Sequence, residues 1–266
     1  MTGAGQVWVL VAHEIRRRWR SLLIWGVALG ALGALYVALY PTMSRYIEDY
    51  MENAPGGMEQ YFEEFGGSMT VEQWLGSEFR VGIAPIALSF LLIIMGARAI
   101  AGSEERKTLD LLLSNPLRRS QVVAGSLGAM ALSLAGILVI IWILTCIAAL
   151  AARVDLGPGS LAAALVALWP LCLVFGALAL LMSAWVRRAA IAIAVPGVIM
   201  VVMYVVESLA EAIEAVRPYR LISLFHHLGR PMEGDFPWTA VLLMLAGTCV
   251  LGAAALAAFA RRDVYT

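Results

Sequence analysis

Leu127-Gly-Ala-Met-Ala-Leu-Ser-Leu-Ala-Gly-Ile-Leu-Val-Ile-Ile-Trp-Ile-Leu-Thr-Cys-Ile-Ala-Ala-Leu150 carries no charged residue from end to end. A helix rises 1.5 Å per residue, so roughly 20 apolar residues cross a hydrocarbon layer of about 30 Å, and this stretch is long enough to do so. Runs at Leu22–Tyr40, Val81–Ala101, Leu161–Ala184, Ala189–Val206 and Trp238–Ala260 bring the predicted spans to six. Composition agrees. Of the 266 residues, 61% are hydrophobic and 14% charged, where soluble domains carry roughly 45–50% and about 25%. That excludes a soluble enzyme and leaves no length for a large globular domain. The predicted fold is all-α, a polytopic protein with six transmembrane helices in a single transmembrane domain over residues 1–266. Pro196-Gly197 predicts a kink in the fifth span.

Orientation follows from lysine and arginine placement. With the N-terminus inside, the inner segments hold twelve basic residues: Arg16, Arg17, Arg18, Arg20, Arg106, Lys107, Arg118, Arg119, Arg187, Arg188, Arg261 and Arg262. The outer segments hold six, and Arg98 lies inside the second span near its inner end. Both termini are therefore expected in the cytoplasm. The outer loop at 41–80 carries eight carboxylates from Glu48 to Glu78. The formal net charge is zero, so bulk electrostatics names no partner, and no nucleic acid is expected. Cys146, Cys172 and Cys249 each sit in an apolar run, as small hydrophobes rather than a disulfide framework.

Three further segments show helical periodicity. At 6–20, Trp8, Val11, Ile15 and Trp19 recur on one side, with His13, Arg16, Arg17 and Arg20 largely on the other, an amphipathic helix for the inner membrane interface. It serves as a basic anchor or as a docking element for a cytoplasmic partner. At 207–237, Ile213 and Val216 lie opposite Glu207, Glu211 and Glu214. Leu221, Leu224, Phe225 and Leu228 then form a second stripe, so two short helices on the outer leaflet are expected. Between the second and third spans, Ser103 can cap a helix whose first turn holds Glu104 and Glu105. Leu109, Leu112, Leu113 and Leu117 follow as a one-sided stripe. Asn115-Pro116 stops it. Such a helix presents a face to lipid or to protein, and the residues alone leave both open.

The stretch Gly102-Ser-Glu-Glu-Arg-Lys-Thr-Leu-Asp-Leu-Leu-Leu-Ser-Asn-Pro-Leu-Arg-Arg-Ser-Gln-Val-Val-Ala-Gly125 resembles the first cytoplasmic loop of type-2 ATP-binding-cassette (ABC) transporter permeases. Thr108, Leu109, Leu112, Leu113, Ser114, Pro116 and Arg119 fit the family pattern. Lys107 stands where glycine is usual, and Ser126 where a lysine often follows the glycine. The resemblance implies that residues 103–119 form a coupling helix seated on a separate ATPase, with Glu104, Glu105, Arg106, Thr108, Leu109, Leu112, Leu113, Pro116, Arg118 and Arg119 transmitting its motion. It further implies two ATPase subunits holding ATP and Mg, a second permease copy or a homologous permease, export, and the plasma membrane of a bacterium or archaeon.

The chain itself is expected to be non-catalytic and to bind no cofactor. The phosphate loop G-x-x-x-x-G-K-[ST] is missing, since Lys107 before Thr108 is preceded by Arg106. His13-Glu14 begins a zinc-protease motif, but Arg17 occupies the second ligand position. Glu104-Glu105 lacks the intramembrane histidines a protease would need, and His226 and His227 point about 100° apart on a helix. Arg98 can snorkel to the inner surface, or serve as a gate or substrate contact. Met200, Met203 and Tyr204 offer an adaptable surface for cargo, or core packing. Gly26-xxx-Gly30 permits close helix approach, although such pairs arise by composition alone. An amphiphilic or hydrophobic cargo (a drug, antibiotic or lipid) suits such spans. An ATP-independent secondary transporter, or a membrane assembly factor, is the alternative.

Overall fold

The computed structural model describes residues 3–52, 70–105 and 119–261. Its α-helices are α1 (Gly3–Glu52), α2 (Val71–Val81), α3 (Ile83–Ala99), α4 (Ala101–Glu105), α5 (Arg119–Ala152), α6 (Pro158–Trp185), α7 (Ala189–Ala212) and α8 (Trp238–Arg261). Three short 3-10 helices, Glu214–Ile222, His226–Leu228 and Pro231–Glu233, join α7 to α8. Among the described residues the only bridge outside helices pairs Arg230 with Asp235. Six helices are long and apolar enough to cross a membrane, one in each predicted region.

The boundaries shift from the sequence reading. α1 is one helix of 50 residues, about 75 Å at 1.5 Å per residue. The amphipathic segment, the first span and the start of the outer loop are therefore continuous. Along it Val11 and Leu22 are buried while Trp8 and Trp19 stay exposed. Pro41 lacks an N–H and yet sits inside the helix, and its carbonyl accepts a bond from Arg45 Nε at 2.8 Å. Arg119 to Ser126, assigned from sequence to the loop and its exit, form the first two turns of α5. α7 is helical through Pro196.

With no hydrophobic force between helices in lipid, close contact and buried polar pairing hold the bundle. α1 runs parallel to α5: Leu10 and Val11 abut Gly125 and Gly128, and farther along Gly26, Gly30 and Gly33 meet Ile140, Leu144 and Thr145. A Cβ on Gly30 would stand 2.6 Å from Leu144 Cδ1, and one on Gly33 2.6 Å from Thr145 Oγ1. The sequence pair Gly26-xxx-Gly30 is thus a contact surface, extended by Gly33. α3 and α6 also run parallel, and a Cβ on Gly96 would collide with the Gly176 carbonyl. Ser89 Oγ donates to Cys172 Sγ at 3.4 Å in the same seam. α6 is antiparallel to α5, with Trp142 Nε1 donating to Pro158 O at 2.9 Å and Trp169 Nε1 to Ala131 O at 3.0 Å. The core fills with Leu88, Leu92, Leu134, Ile137, Leu171 and Phe175, each exposed by 1% or less. Between α5 and α6 lies an open groove of about 400 Å³, walled by Ala135, Leu138, Val139, Trp142, Ala162, Leu165, Val166 and Trp169.

Replacing Gly30 with Val should lower stability by about 1–3 kcal/mol, the usual cost of overfilling a packed contact. Gly197, whose Cβ position is open space, should accept Ala within about 0.5 kcal/mol. Thermal unfolding of the purified protein in one detergent compares the two; equal midpoints would show that the α1–α5 seam is not tightly packed.

Candidate functional site

The ends of α3, α6 and α8 and the starts of α5 and α7 gather at one end of the bundle, where polar side chains bond their backbone termini. The last turn of a helix leaves carbonyls without partners and the first turn leaves amides. Ser183 on α6 addresses the end of α3. Its hydroxyl donates to Ala97 O at 2.8 Å and accepts from the amides of Ile100 and Ala101 at 3.2 and 2.8 Å. Buried completely, Ser183 fixes the point where the second span ends and α4 begins. Ser103 lies inside α4, not before it, so the sequence-predicted cap is not what starts this helix: α4 begins two residues earlier, directly after the Ser183 clamp.

Glu104 and Glu105 close α4 and reach across to the turn between the fourth and fifth spans. Glu105 Oε1 accepts from Ala189 N at 2.9 Å, the first amide of α7, for which Arg188 at the N-cap supplies no side-chain bond. Glu104 Oε1 lies 3.7 Å from Arg187 Nε. Arg119, at the start of α5, donates through Nη1 to Phe259 O and Ala260 O at 2.7 and 2.8 Å, with its guanidinium 5.4 Å from the Phe259 ring centre. It thereby caps α8 with a cation, the sign that the end of a helix dipole favours. Arg98 is exposed in the last turn of α3 at the same end. Arg106, Thr108, Leu109, Leu112, Leu113, Pro116 and Arg118 lie outside the described residues. So do Glu59, Glu63 and Glu64 of the acidic loop.

The opposite end carries a cap. By sequence Glu78 belongs to the acidic loop, yet it is buried, and its Oε1 accepts from Ile83 N at 2.9 Å and Ala84 N at 3.3 Å. It turns the corner from α2 into α3 at Gly82, where a Cβ would strike the same carboxylate. Tyr204 donates to Val81 O at 2.6 Å and stands edge-on to Phe225, which stacks on Phe175 of α6. Met200 is buried, and Met203 accepts from Ser223 Oγ through its carbonyl at 2.8 Å. The structure therefore places Met200, Met203 and Tyr204 within the protomer's packing beneath the cap. Phe225 and Leu228 are buried as the predicted stripe requires, but Leu221 is 69% exposed. The connection is 3-10 with Pro218 inside it; three residues per turn cannot keep an α-helical stripe on one side.

Arg98, which the sequence places inside the second span, has a counterpart in Glu207, in the second half of α7 and fully buried. Arg220 donates to its Oε1 through Nε and Nη2 at 2.9 and 2.7 Å. Oε2 has no hydrogen-bond partner among the described residues, and His226 Nδ1 stands 3.7 Å away. Nothing periodic links 207 to 220, so only the folded chain brings them together. Beside this cluster a cavity of about 260 Å³ opens between α2, α6 and the cap, with Glu72, Arg80, Arg230 and Glu233 among its walls.

Two comparisons bear on what this geometry serves. Residues 11–260 match the family model described as multidrug efflux system permease Rv1217c, C-terminal domain. No curated protein matches the chain.

Burial pushes His226 below its ordinary value of 6.5; Glu207 opposes this, while Arg220 and His227 add to it. A folded value below the unfolded one means that the neutral ring favours the seated cap. That contribution is complete above about pH 6.5 and is lost as pH falls through the lower folded value. Spin labels at Leu221→Cys on the cap and Val201→Cys on α7 should therefore report a longer or broader distance distribution at pH 5 than at pH 7.5. His226→Gln should remove the difference, and a distribution unchanged by pH in the parent chain would refute the account.

Proposed function

Because the chain belongs to the family of the multidrug efflux system permease Rv1217c, C-terminal domain, a type-2 ABC permease family, we propose that it is the membrane half of an ATP-driven exporter. It is a multi-pass membrane protein. Its end of the work is mechanical. ATP, with Mg, is bound and hydrolysed by a separate ATPase, two copies of which dock beneath a pair of permeases, either two of this chain or this chain and a homologue. Both termini and the α4 end face the cytoplasm of a bacterial or archaeal cell, and the Glu207 cap faces outside. The cargo is an amphiphilic or hydrophobic compound.

The observation that carries this reading is the family match over residues 11–260. Geometry supports it. The segment from Glu104 to Arg119 that resembles a coupling helix leaves α4 and re-enters at α5, and both of its ends are bonded into the bundle. Closure of the ATPase dimer on ATP pushes that segment, and the spans exchange inward-open for outward-open arrangements. A nucleotide shifts such an equilibrium only by its differential affinity for the two states. Moving it from 1:99 to 99:1 takes about 5.5 kcal/mol, a demand shared between two ATP sites. Glu207, a buried carboxylate of the kind a proton-driven carrier uses, is ion-paired with Arg220 at 2.7 Å.

The reading predicts that Leu112→Glu combined with Leu113→Glu detaches the motor. An affinity-tagged parent chain should co-purify a nucleotide-hydrolysing protein, and the double variant should retain less than a tenth of it at unchanged helical content. A parent chain that brings no ATPase, or a variant that binds it equally well, overturns the proposal.

A further inference from the structure

The segment leaving α4 has two routes into the bundle. One is the chain itself, which continues into α5. The other is the pair of carboxylates that close α4, and it leads to a different helix. Glu105 holds the first amide of α7 across a separation of 84 residues, and Glu104 stands by Arg187 one residue before α7's N-cap. An N-cap is ordinarily supplied by the residue preceding the helix. Here it comes from α4, which follows the second span.

α7 is built to pass on what it receives. It is continuous over 24 residues, about 36 Å. Ile191, Val195, Val198, Val201, Val202 and Val205 are exposed along it, so few side chains must repack when it shifts. At its outer part Glu207 grips Arg220, Tyr204 bonds Val81 O, and Met203 O accepts from Ser223. The inner end of this rod is thus tied to α4, and the outer end to the cap.

We propose that Glu105 is a positioning residue. By accepting the Ala189 amide it straps the segment after α4 to the start of the fifth span, and displacement of that segment travels along α7 to the outer cap. This rests on the coupling reading of the segment given above. It adds a named recipient, α7, and a named bond, and it makes opening of the cap depend on both.

The test uses the full permease–ATPase complex in proteoliposomes, with spin labels at Val205→Cys on α7 and Ile83→Cys on α3, both exposed positions. Two readouts are taken: the change in label distance on adding ATP with vanadate, and molecules of a fluorescent amphiphilic dye, the cargo probe, moved per ATP hydrolysed. In the parent complex the distance should change. Glu105→Ala should abolish the change and lower cargo moved per ATP at least tenfold. Glu105→Gln keeps an acceptor oxygen and should restore both to within about threefold. Should Glu105→Ala assemble poorly, Ala189→Pro removes the donor from the other side. Proline suits the first position of a helix, so α7 still starts, and the same uncoupling is expected. A distance change and transport ratio that survive both Glu105→Ala and Ala189→Pro overturn the strap while leaving the exporter reading intact. So does a Glu105→Gln variant as defective as Glu105→Ala. A parent chain with no associated ATPase overturns the exporter reading and the strap with it.

Discussion

Hydrocarbon offers a peptide group nothing to bond, and the structure answers that constraint twice. Within each span the answer is the helix, whose amides and carbonyls satisfy one another. At the helix ends the answer is a side chain from elsewhere. Glu78 takes the first amides of α3, Ser183 closes its last turn, Glu105 takes the first amide of α7, and Arg119 takes the last carbonyls of α8. The protein spends its scarce polar residues where its backbone would otherwise be exposed. Those positions are also where one helix is tied to another.

The glycine contacts divide the remaining work. α1 and α5 touch along Gly26, Gly30 and Gly33, and α3 and α6 touch at Gly96 and Gly176. In each pair a methyl group on one of these glycines would displace a neighbour. The two pairs also meet closely: Trp142 and Trp169 bond carbonyls across α5 and α6, a Cβ on Gly176 would stand 3.1 Å from Met130 Sδ, and Leu134, Ile137 and Ile141 are exposed by 1% or less. The groove of about 400 Å³ interrupts that boundary.

The spans were legible because a charge-free run of about 20 residues has few readings other than a crossing. The helix ends were legible only in part. Of the stripe Trp8, Val11, Ile15, Trp19 and Leu22, Val11 and Leu22 pack while Trp8 and Trp19 stay exposed, and nothing in that spacing shows that the helix continues without a break into the span. The bonds that build the α4 end join residues far apart in the chain: 105 to 189, 119 to 260, 97 to 183. No spacing rule reaches across a folded bundle, so nothing marks Ser183 within the apolar run Leu161–Ala184; Glu78 sits by sequence among the loop carboxylates although its bonds to Ile83 and Ala84 are local. The connection after α7 misled for a local reason. An α-helical period was assumed over a stretch that Pro218 and 3-10 geometry set to three residues per turn. The loop that carried the family resemblance lies in large part outside the described residues, and its weight comes from sequence and from the match over residues 11–260.

The groove between α5 and α6 is walled by apolar side chains and by Trp142 and Trp169. Each indole gives its N–H to a carbonyl of the facing helix, which pins both rings in the groove's wall. With those donors already engaged, the recess offers a visiting molecule hydrocarbon contact and no hydrogen bond.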